Sequence, residues 1–384
     1  MYTIGAGLLM NGVLQVIVYP LLNRVMGSEP LGNLLFIMGL AAIVTPSIGQ
    51  ALNTSRLVVR RTENVSNGDY NVLLLVYGAI GAMIALIIGR NSIEGVPGAV
   101  AVCVLILLMV FRYYGDVEFR LNLNYRNYFI YYAVMTAGYL LGFGLFFLTG
   151  NWYLIFISGE ALAILYIVLT GTIFRDFLRV SGAFRAAAMR GTFLLMSYIV
   201  TNLTLNIDRL MLKMLVDNLA VTQYYVVSLI GKTMVLLVAP INTIIISYLT
   251  KRKENLNRKQ YMMFVGAGLG VSLVFFLGAE IVTPIFLKLL YPDLYDSVRG
   301  VITIVNASQI LGLLSAYIFI VVLTFTEEKW QMILQVVHLA VILALVYAMT
   351  PQGGLHGFSV AVLMANGIRV LLIILFGLVR SGRQ

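Results

Sequence analysis

The chain has 384 residues, of which 60% are hydrophobic and 11% charged, and its mean hydropathy is +0.94. Because soluble domains carry about 25% charged residues, this composition excludes a soluble domain and predicts an all-α membrane protein with many spans. The net charge of +10 does not indicate a nucleic-acid partner, since the basic residues lie in short segments between apolar spans, as the positive-inside rule requires.

Twelve apolar segments are long enough to cross a bilayer, which takes about 20 residues of helix. In chain order they lie near residues 4–22, 33–52, 71–89, 96–113, 128–148, 152–173, 191–213, 219–249, 261–286, 300–323, 330–349 and 355–379. The glycine-containing link at 27–32 separates the first two, and Pro46 is expected to kink the second. We predict two six-helix lobes, residues 1–173 and 191–384, joined by a cytoplasmic linker at 174–190.

The Lys and Arg residues are distributed unevenly between the two sides of these spans. On the side that carries both termini there are 18, including Arg112, Lys253 and Arg383; the opposite side has 5 and the spans hold 3, which accounts for all 26. Short cytoplasmic loops are enriched in these residues. The bias therefore predicts that both termini are cytoplasmic.

A weak internal repeat relates the two halves of the chain. Residues 24–36 read RVMGSEPLGNLLF and resemble residues 213–225, which read KMLVDNLAVTQYY. Each copy places a basic residue at a helix end, then a short acidic link and a new helix. Six helices per repeat is an even number, so both halves insert in the same orientation, as in transporters built of two parallel bundles. A cleft between such bundles is where a carried substrate would bind.

Polar residues follow one stripe of the seventh predicted helix. Asn202, Asn206, Arg209 and Lys213 are spaced four, three and four apart, which places them on one face. Lys232 lies within the eighth predicted helix. Charges inside a bilayer cost about 2.5–3.5 kcal/mol even on insertion scales, so these residues are expected to face a polar interior. Lys232 could bind an anion such as phosphate or pair with an acid on another helix.

Three acidic residues also fall within predicted spans: Asp208, Glu160 and Glu280. Each could form a bridge between helices or take part in ion coupling, with a proton or sodium as the ion. For Asp208 a bridge is favoured, and Lys232 is a candidate partner. For Glu160 and Glu280, burial would favour the protonated form of the carboxyl group.

The sequence carries no motif of a catalytic or metal-binding kind. It has no GxxxxGK[ST] and no HExxH, and the predicted outer loops are too short for an extracytoplasmic active site. Cys103 stands alone within an apolar span, and His338 and His356 have no acidic neighbours in sequence. We predict a protein that is not an enzyme and needs no cofactor, in which His338 forms a hydrogen bond between helices.

Four passages resemble the Wzx-type polysaccharide flippases of the MOP (multidrug/oligosaccharidyl-lipid/polysaccharide) exporter superfamily. They are RVMGSEPLGNLLF with GQALNTSRLVVRR, then NIDRLMLKMLVDNLAVTQYYVVSLIGK, KLLYPDLYDSVRGVITIVNAS and GGLHGFSVAVLMANGIRVLL. They occur in the family's order and together span the chain. The resemblance implies two six-helix lobes that alternate between inward-open and outward-open states, with a cationic cavity for the pyrophosphate and sugar of an undecaprenyl-linked oligosaccharide.

The implied function is transfer of that lipid-linked oligosaccharide to the outer leaflet of a bacterial inner membrane, for O-antigen, capsule or related polysaccharide assembly, with other assembly proteins as candidate partners. The predicted substrate-binding residues are Arg24, Arg56, Asn202, Asn206, Arg209, Lys213 and Lys232. A MATE-like multidrug exporter is the first alternative, and a membrane-embedded polymerase or ligase is the second. Coupling stays open between a proton or sodium gradient and the membrane potential, which favours outward movement of an anion by about 2.3 kcal/mol per charge per 100 mV.

Overall fold

A computed structural model describes residues 2–252 and 256–381. Lys253 and Arg383, two of the bases predicted to be cytoplasmic, lie outside the described residues. Helices make up almost all of the described chain. In order they are α1 (Tyr2–Gly12), a π-helical segment (Val13–Val18), α2 (Tyr19–Met26), α3 (Ser28–Val59), α4 (Asn67–Gly89), α5 (Gly95–Leu121), α6 (Tyr125–Thr149), α7 (Tyr153–Thr170), α8 (Phe184–Leu215), α9 (Asn218–Leu249), α10 (Arg258–Leu290), α11 (Pro292–Val298), a 3₁₀ turn (Arg299–Val301), α12 (Ile302–Phe325) and α13 (Glu328–Ser381).

Nine of the helical segments in the described chain are long and apolar enough to cross a membrane. The last of these, Lys329–Arg380, is interrupted at Gly354, where φ is 52° and ψ is −136°. α8 and α9, each of 32 residues, are further long helices with charged residues in their interiors. The protein is therefore an all-α, multi-pass membrane protein, while the number of twelve spans and the cytoplasmic position of the termini stay predictions.

The chain forms two compact units, residues 1–26 with 33–207 and residues 27–32 with 208–384. The first unit is built on α6 and α7, with α1 against α6 and α5 against α4 and α7. Gly138 and Gly142 let α6 approach α7 closely, because a Cβ at Gly142 would lie 2.5 Å from the carbonyl oxygen of Leu154. The sequence GYLLG at 138–142 predicts this close packing, and the structure confirms it.

The second unit is built around α12, which packs against α9, α10 and α13. It also includes residues 27–32, at the start of α3. The Oγ1 of Thr222 on α9 donates a hydrogen bond of 2.6 Å to the carbonyl oxygen of Ser28. Gly32 lies so close to α9 that a Cβ there would be 1.8 Å from the carbonyl oxygen of Asn218. The two copies of the predicted repeat thus meet where each begins a new helix.

The segment between α7 and α8 is held on the first unit by side chains of α4 and α5. The Asp69 carboxylate, which helps to cap α4, also accepts hydrogen bonds from the amide of Ser181 at 2.7 Å and from its hydroxyl at 2.6 Å. The Glu118 carboxylate accepts from the amides of Thr172 and Ile173 at 3.2 and 3.1 Å. This segment overlaps the predicted linker at 174–190, but the two compact units divide further along the chain, inside α8 between Ile207 and Asp208.

The loop position predicted for Arg112 is wrong. Arg112 is not in a loop but inside α5, where it is only 3% exposed. Hydropathy alone ends a span where a charged residue appears, yet a helix can carry that charge through a bundle when a neighbouring helix supplies the opposite charge. Glu160 on α7 supplies it here.

Candidate functional site

The charged residues in the last two turns of α8, Asp208, Arg209 and Lys213, lie in the second unit together with Lys232 of α9. The ammonium of Lys232 lies 2.5 Å from Asp208 Oδ2, so the two residues bridge the helices. Asp208 is 8% exposed, and its other oxygen, Oδ1, is buried with no hydrogen-bond partner among the described residues. The Lys232 side chain is 30% exposed. Of the two roles open to Lys232 from sequence, the structure contains the ion pair with Asp208, and a role in binding an anion stays a prediction.

Two more basic residues on α8 lie beside this pair in sequence. The guanidinium carbon of Arg209 is 5.0 Å from the ring centre of Tyr225 on α9, a cation–π distance. The Nε of Arg209 is buried, and no described residue accepts a hydrogen bond from it. The ammonium of Lys213 donates to Asn218 Oδ1 at the start of α9. This stretch of two helices therefore presents three basic side chains, of which Asp208 neutralises one.

Asn202 and Asn206, on the same predicted stripe, lie in the part of α8 that belongs to the first unit. Asn202 Nδ2 donates to Ser47 Oγ at 3.1 Å, which joins α8 to α3, and to the Tyr198 carbonyl at 3.0 Å. Asn206 Nδ2 donates to the Asn202 carbonyl at 3.0 Å. Both amides have structural hydrogen bonds, and their predicted contact with substrate is a separate role that stays a prediction.

Arg56 is an anchor inside the first unit. Its guanidinium donates to the Tyr114 hydroxyl at 2.6 Å and to Asn67 Oδ1 at 2.6 Å, and lies 5.7 Å from the ring centre of Tyr70. Arg56 also lines a cavity of about 320 Å³ next to Arg60. Arg24, by contrast, is exposed in the last turn of α2. A substrate role for either arginine stays a prediction.

Glu160 forms a bridge between helices. Its carboxylate accepts from Arg112 Nε at 2.9 Å and Nη2 at 3.3 Å, and from the Tyr139 hydroxyl at 2.8 Å. Glu160 is 1% exposed. Of the two roles open to it, bridge or ion coupling, this geometry matches the bridge. Sequence reasoning missed the partner because Arg112 was placed in a loop.

A group of tyrosines next to this bridge was also missed. Tyr131 and Tyr132 lie near the start of α6, where aromatic residues are also typical of a membrane interface, but both side chains are buried in the protein. The Tyr132 hydroxyl donates to Asp116 Oδ2 at 3.3 Å. Asp116 stands four residues after Arg112 on α5, and this (i, i+4) pair of charges was the available signal that one face of α5 is polar.

The third acidic residue, Glu280 on α10, has neutral partners. Thr303 and Asn306 on α12 each donate a hydrogen bond of 2.7 Å to its carboxylate. In α13, His338 Nε2 lies 3.2 Å from Asn366 Oδ1, across the break at Gly354, which confirms the predicted hydrogen-bonding role of that histidine. The described residues contain no group of three or more His, Cys, Asp or Glu side chains that could hold a metal ion.

Comparison with solved structures identifies the fold. A multidrug resistance MATE family transporter of the MOP superfamily, in an inward-facing conformation, matches with a TM-score of 0.72 and 13% identity, covering 99% of this chain and 94% of its own. The lipid II flippase MurJ, in an inward closed conformation, matches with a TM-score of 0.68 and 10% identity, covering 99% and 90%. No family model matches the sequence, and no curated protein matches it significantly.

A third match is a MOP superfamily transporter from Pyrococcus furiosus, for which a reversed polarity of the binding pocket suggests a different function. Its TM-score is 0.57 at 15% identity, and the match covers 99% of this chain and 95% of that chain. At such identities the likeness shows the fold alone. The chain has the fold of MOP-superfamily transporters, which confirms that part of the sequence resemblance. Membership of the Wzx-type branch stays a prediction.

Proposed function

We propose that the protein is a flippase that moves a polyprenyl-pyrophosphate-linked oligosaccharide from the inner to the outer leaflet of a bacterial cytoplasmic membrane, for surface polysaccharide assembly. The fold is shared by drug exporters and a lipid flippase, so it does not choose between them. The observation that carries the proposal is the excess of positive charge between residues 208 and 232, where the bases Arg209, Lys213 and Lys232 outnumber the acids Asp208 and Asp217.

The chemistry of these side chains suits a phosphate better than an organic cation. Ammonium and guanidinium groups donate charge-assisted hydrogen bonds to phosphate oxygens. Within the part of the chain that the structure describes, the Nε of Arg209 has no hydrogen-bond partner, and the Lys232 side chain is partly exposed. A pyrophosphate that approaches Lys232 competes with Asp208 for its ammonium. The anion would then bind as the Asp208–Lys232 ion pair opens, so that the two events are coupled.

Multidrug export is the second candidate function, and it is favoured by the fold match to a MATE family transporter at a TM-score of 0.72. An exporter of organic cations would need an accessible carboxylate that is free of a basic partner. Asp208 has Lys232 as its partner and Glu160 has Arg112. Glu280 has the neutral partners Thr303 and Asn306, so it is the carboxylate that an exporter of cations could use. An enzymatic role, as polymerase or ligase, is the third candidate, and the fold match to transporters supports it least.

The first test is a binding measurement on the purified protein, with a short-chain polyprenyl-pyrophosphate oligosaccharide and, separately, an organic cation. We expect the lipid-linked anion to bind and Lys232→Gln and Arg209→Gln each to weaken its binding about 10-fold or more, since a hydrogen bond to a charged group contributes about 1.5–3 kcal/mol. Lys259→Gln is the matched control, because Lys259 is exposed at the start of α10, and it should leave the affinity unchanged. Affinity for the organic cation alone would rule out the flippase in favour of drug export.

A second prediction concerns Asp208→Asn. The amide keeps the shape of the side chain but removes the charge that competes for Lys232. We therefore expect the pyrophosphate to bind about fivefold more tightly or more, which corresponds to the removal of one opposing interaction of about 1 kcal/mol. The same binding assay measures it, with Asp296→Asn on exposed α11 as the control. Weaker binding in Asp208→Asn would instead mean that Asp208 holds Lys232 in its binding position.

A further inference from the structure

An apolar cleft of about 250 Å³ lies in the first unit, where the chain leaves the last turn of α7. Three phenylalanine rings form one wall: the ring centre of Phe111 on α5 lies 5.7 Å from that of Phe174 and 5.8 Å from that of Phe177. The other residues that line it are Ile164, Val168, Gly171 and Arg175. This phenylalanine cleft is therefore built by α5, by the end of α7 and by the segment between α7 and α8.

The face of α7 beside the cleft is apolar and open. Leu165, Val168 and Leu169 are 50%, 53% and 73% exposed, and α7 is apolar enough to cross a membrane. In a membrane-spanning helix such side chains contact lipid tails, which are as apolar as they are. With 18 residues, α7 is about as long as the hydrocarbon core of a bilayer is thick. The cleft at its end therefore lies near the level where lipid tails meet headgroups.

Arg175 is the only charged residue among the described ones that line the phenylalanine cleft. Its side chain is exposed and takes part in none of the ion pairs formed between described residues. Its main chain is fixed, because Asn67 Nδ2 on α4 donates to its carbonyl oxygen at 3.1 Å. The neighbouring acid, Asp176, lines a different and polar cavity of about 480 Å³ together with Arg179. An apolar space thus adjoins one positive charge that the protein does not neutralise.

We propose that the phenylalanine cleft binds an anionic phospholipid, with part of an acyl chain against the phenylalanine rings and the phosphate beside Arg175. A guanidinium donates charge-assisted hydrogen bonds to phosphate oxygens, and basic side chains at the membrane surface attract anionic lipids. A zwitterionic phospholipid carries a positive charge next to its phosphate, so Arg175 favours the anionic one. The site shares no residue with the α8–α9 charges, so it holds for a flippase and for an exporter.

The test is native mass spectrometry of the delipidated full chain in detergent, titrated with phosphatidylglycerol and, separately, with phosphatidylcholine of the same acyl chains. We expect one phosphatidylglycerol per chain to bind about fivefold more tightly or more than phosphatidylcholine, the scale of one basic residue at an anionic membrane surface. Arg175→Gln should remove this preference. Arg179→Gln is the matched control, because it loses the same charge from an exposed position in the same segment but lines the polar cavity. It should keep the preference.

A second pair of variants tests the apolar half of the site. Val168 lines the cleft from an exposed position, so the larger ring in Val168→Trp can occupy the cleft without displacing the core. We expect it to weaken binding of phosphatidylglycerol at least about tenfold, the loss of a few buried methylene groups. Leu169→Trp should bind as the wild type does, because Leu169 is 73% exposed and does not line the cleft. Thermal unfolding in detergent checks that each variant is folded.

Three results would overturn the proposal, whatever the outcome of the pyrophosphate assay. The first is a wild type that binds the two lipids equally or retains neither. The second is a preference for phosphatidylglycerol that persists in Arg175→Gln, or an affinity that Val168→Trp leaves unchanged. The third is displacement of phosphatidylglycerol by glycerol 3-phosphate, which has the phosphate but no acyl chain and would indicate a site for a free anion.

Discussion

Removing one member of the Arg112–Glu160 pair should destabilise the protein by about 3–5 kcal/mol, because the other member is left as an uncompensated buried charge. Both residues are almost completely buried, and two hydrogen bonds of 2.9 and 3.3 Å join them. Tyr139 adds a third hydrogen bond to the carboxylate. The single substitutions Arg112→Met and Glu160→Met, followed by thermal unfolding in detergent, measure the effect.

The double substitution Arg112→Met with Glu160→Met provides the decisive comparison. Since apolar residues of similar volume can replace a buried ion pair with little loss, the double variant should be more stable than Arg112→Met alone. Lys329 and Glu327, a pair that is 62% and 66% exposed, provide the control, and Lys329→Met should leave the unfolding midpoint unchanged. If the loss of stability in the double variant equals the sum of the losses in the two single variants, the cause is the lost packing volume and not the unpaired charge.

Gly32→Ala should prevent the start of α3 from packing on α9. The added Cβ would lie 1.8 Å from the carbonyl oxygen of Asn218 and 3.0 Å from Thr222 Oγ1. A main-chain oxygen cannot rotate away, so α3 must move as a whole and the 2.6 Å hydrogen bond from Thr222 to Ser28 is lost. Overpacking lowers the free energy of unfolding by about 1–3 kcal/mol when side chains can adjust. For Gly32→Ala we expect a loss of about 3 kcal/mol or more, because main-chain atoms must move.

The yield of monodisperse protein in size-exclusion chromatography and the thermal midpoint measure this effect. Gly266→Ala is the matched control, because Gly266 is inside α10 and a Cβ there meets nothing within 4 Å. Alanine in a helix interior is favoured over glycine by about 0.5–1 kcal/mol, so this control should be neutral or slightly more stable. A Gly32→Ala protein as stable as the wild type would mean that α3 and α9 are further apart than in the structure.

The sequence predicted the helices well because the signal for each span is local. A run of about 20 apolar residues can be read without knowledge of the partner helix. The prediction for Arg112 failed because the signal for its burial is not local. The cost of burying its charge is offset by Glu160, which lies 48 residues away in sequence. The same holds for Tyr131 and Tyr132, whose aromatic character fits an interface equally well as long as their neighbours are unknown.

The candidate site was predictable as a set of residues but not as a set of contacts. The spacing of Arg209 and Lys213 places them on one face of a helix, and the structure has both in α8. The Asp208–Lys232 pair was one of two roles that the sequence left open for Lys232, and the structure contains it. The contacts of Glu280 with Thr303 and Asn306 were not predicted, because they depend on how neighbouring helices rotate about their axes. The difference matters physically: one carboxylate is neutralised by the protein and the other is not.

The attachment of the segment between α7 and α8 has a consequence for biosynthesis. Asp69 is translated 112 residues before Ser181, whose amide and hydroxyl it binds. During synthesis the amino end of α4 is therefore made long before its partners. A chain that ends before residue 172 lacks the four hydrogen bonds that hold the segment between α7 and α8 on α4 and α5.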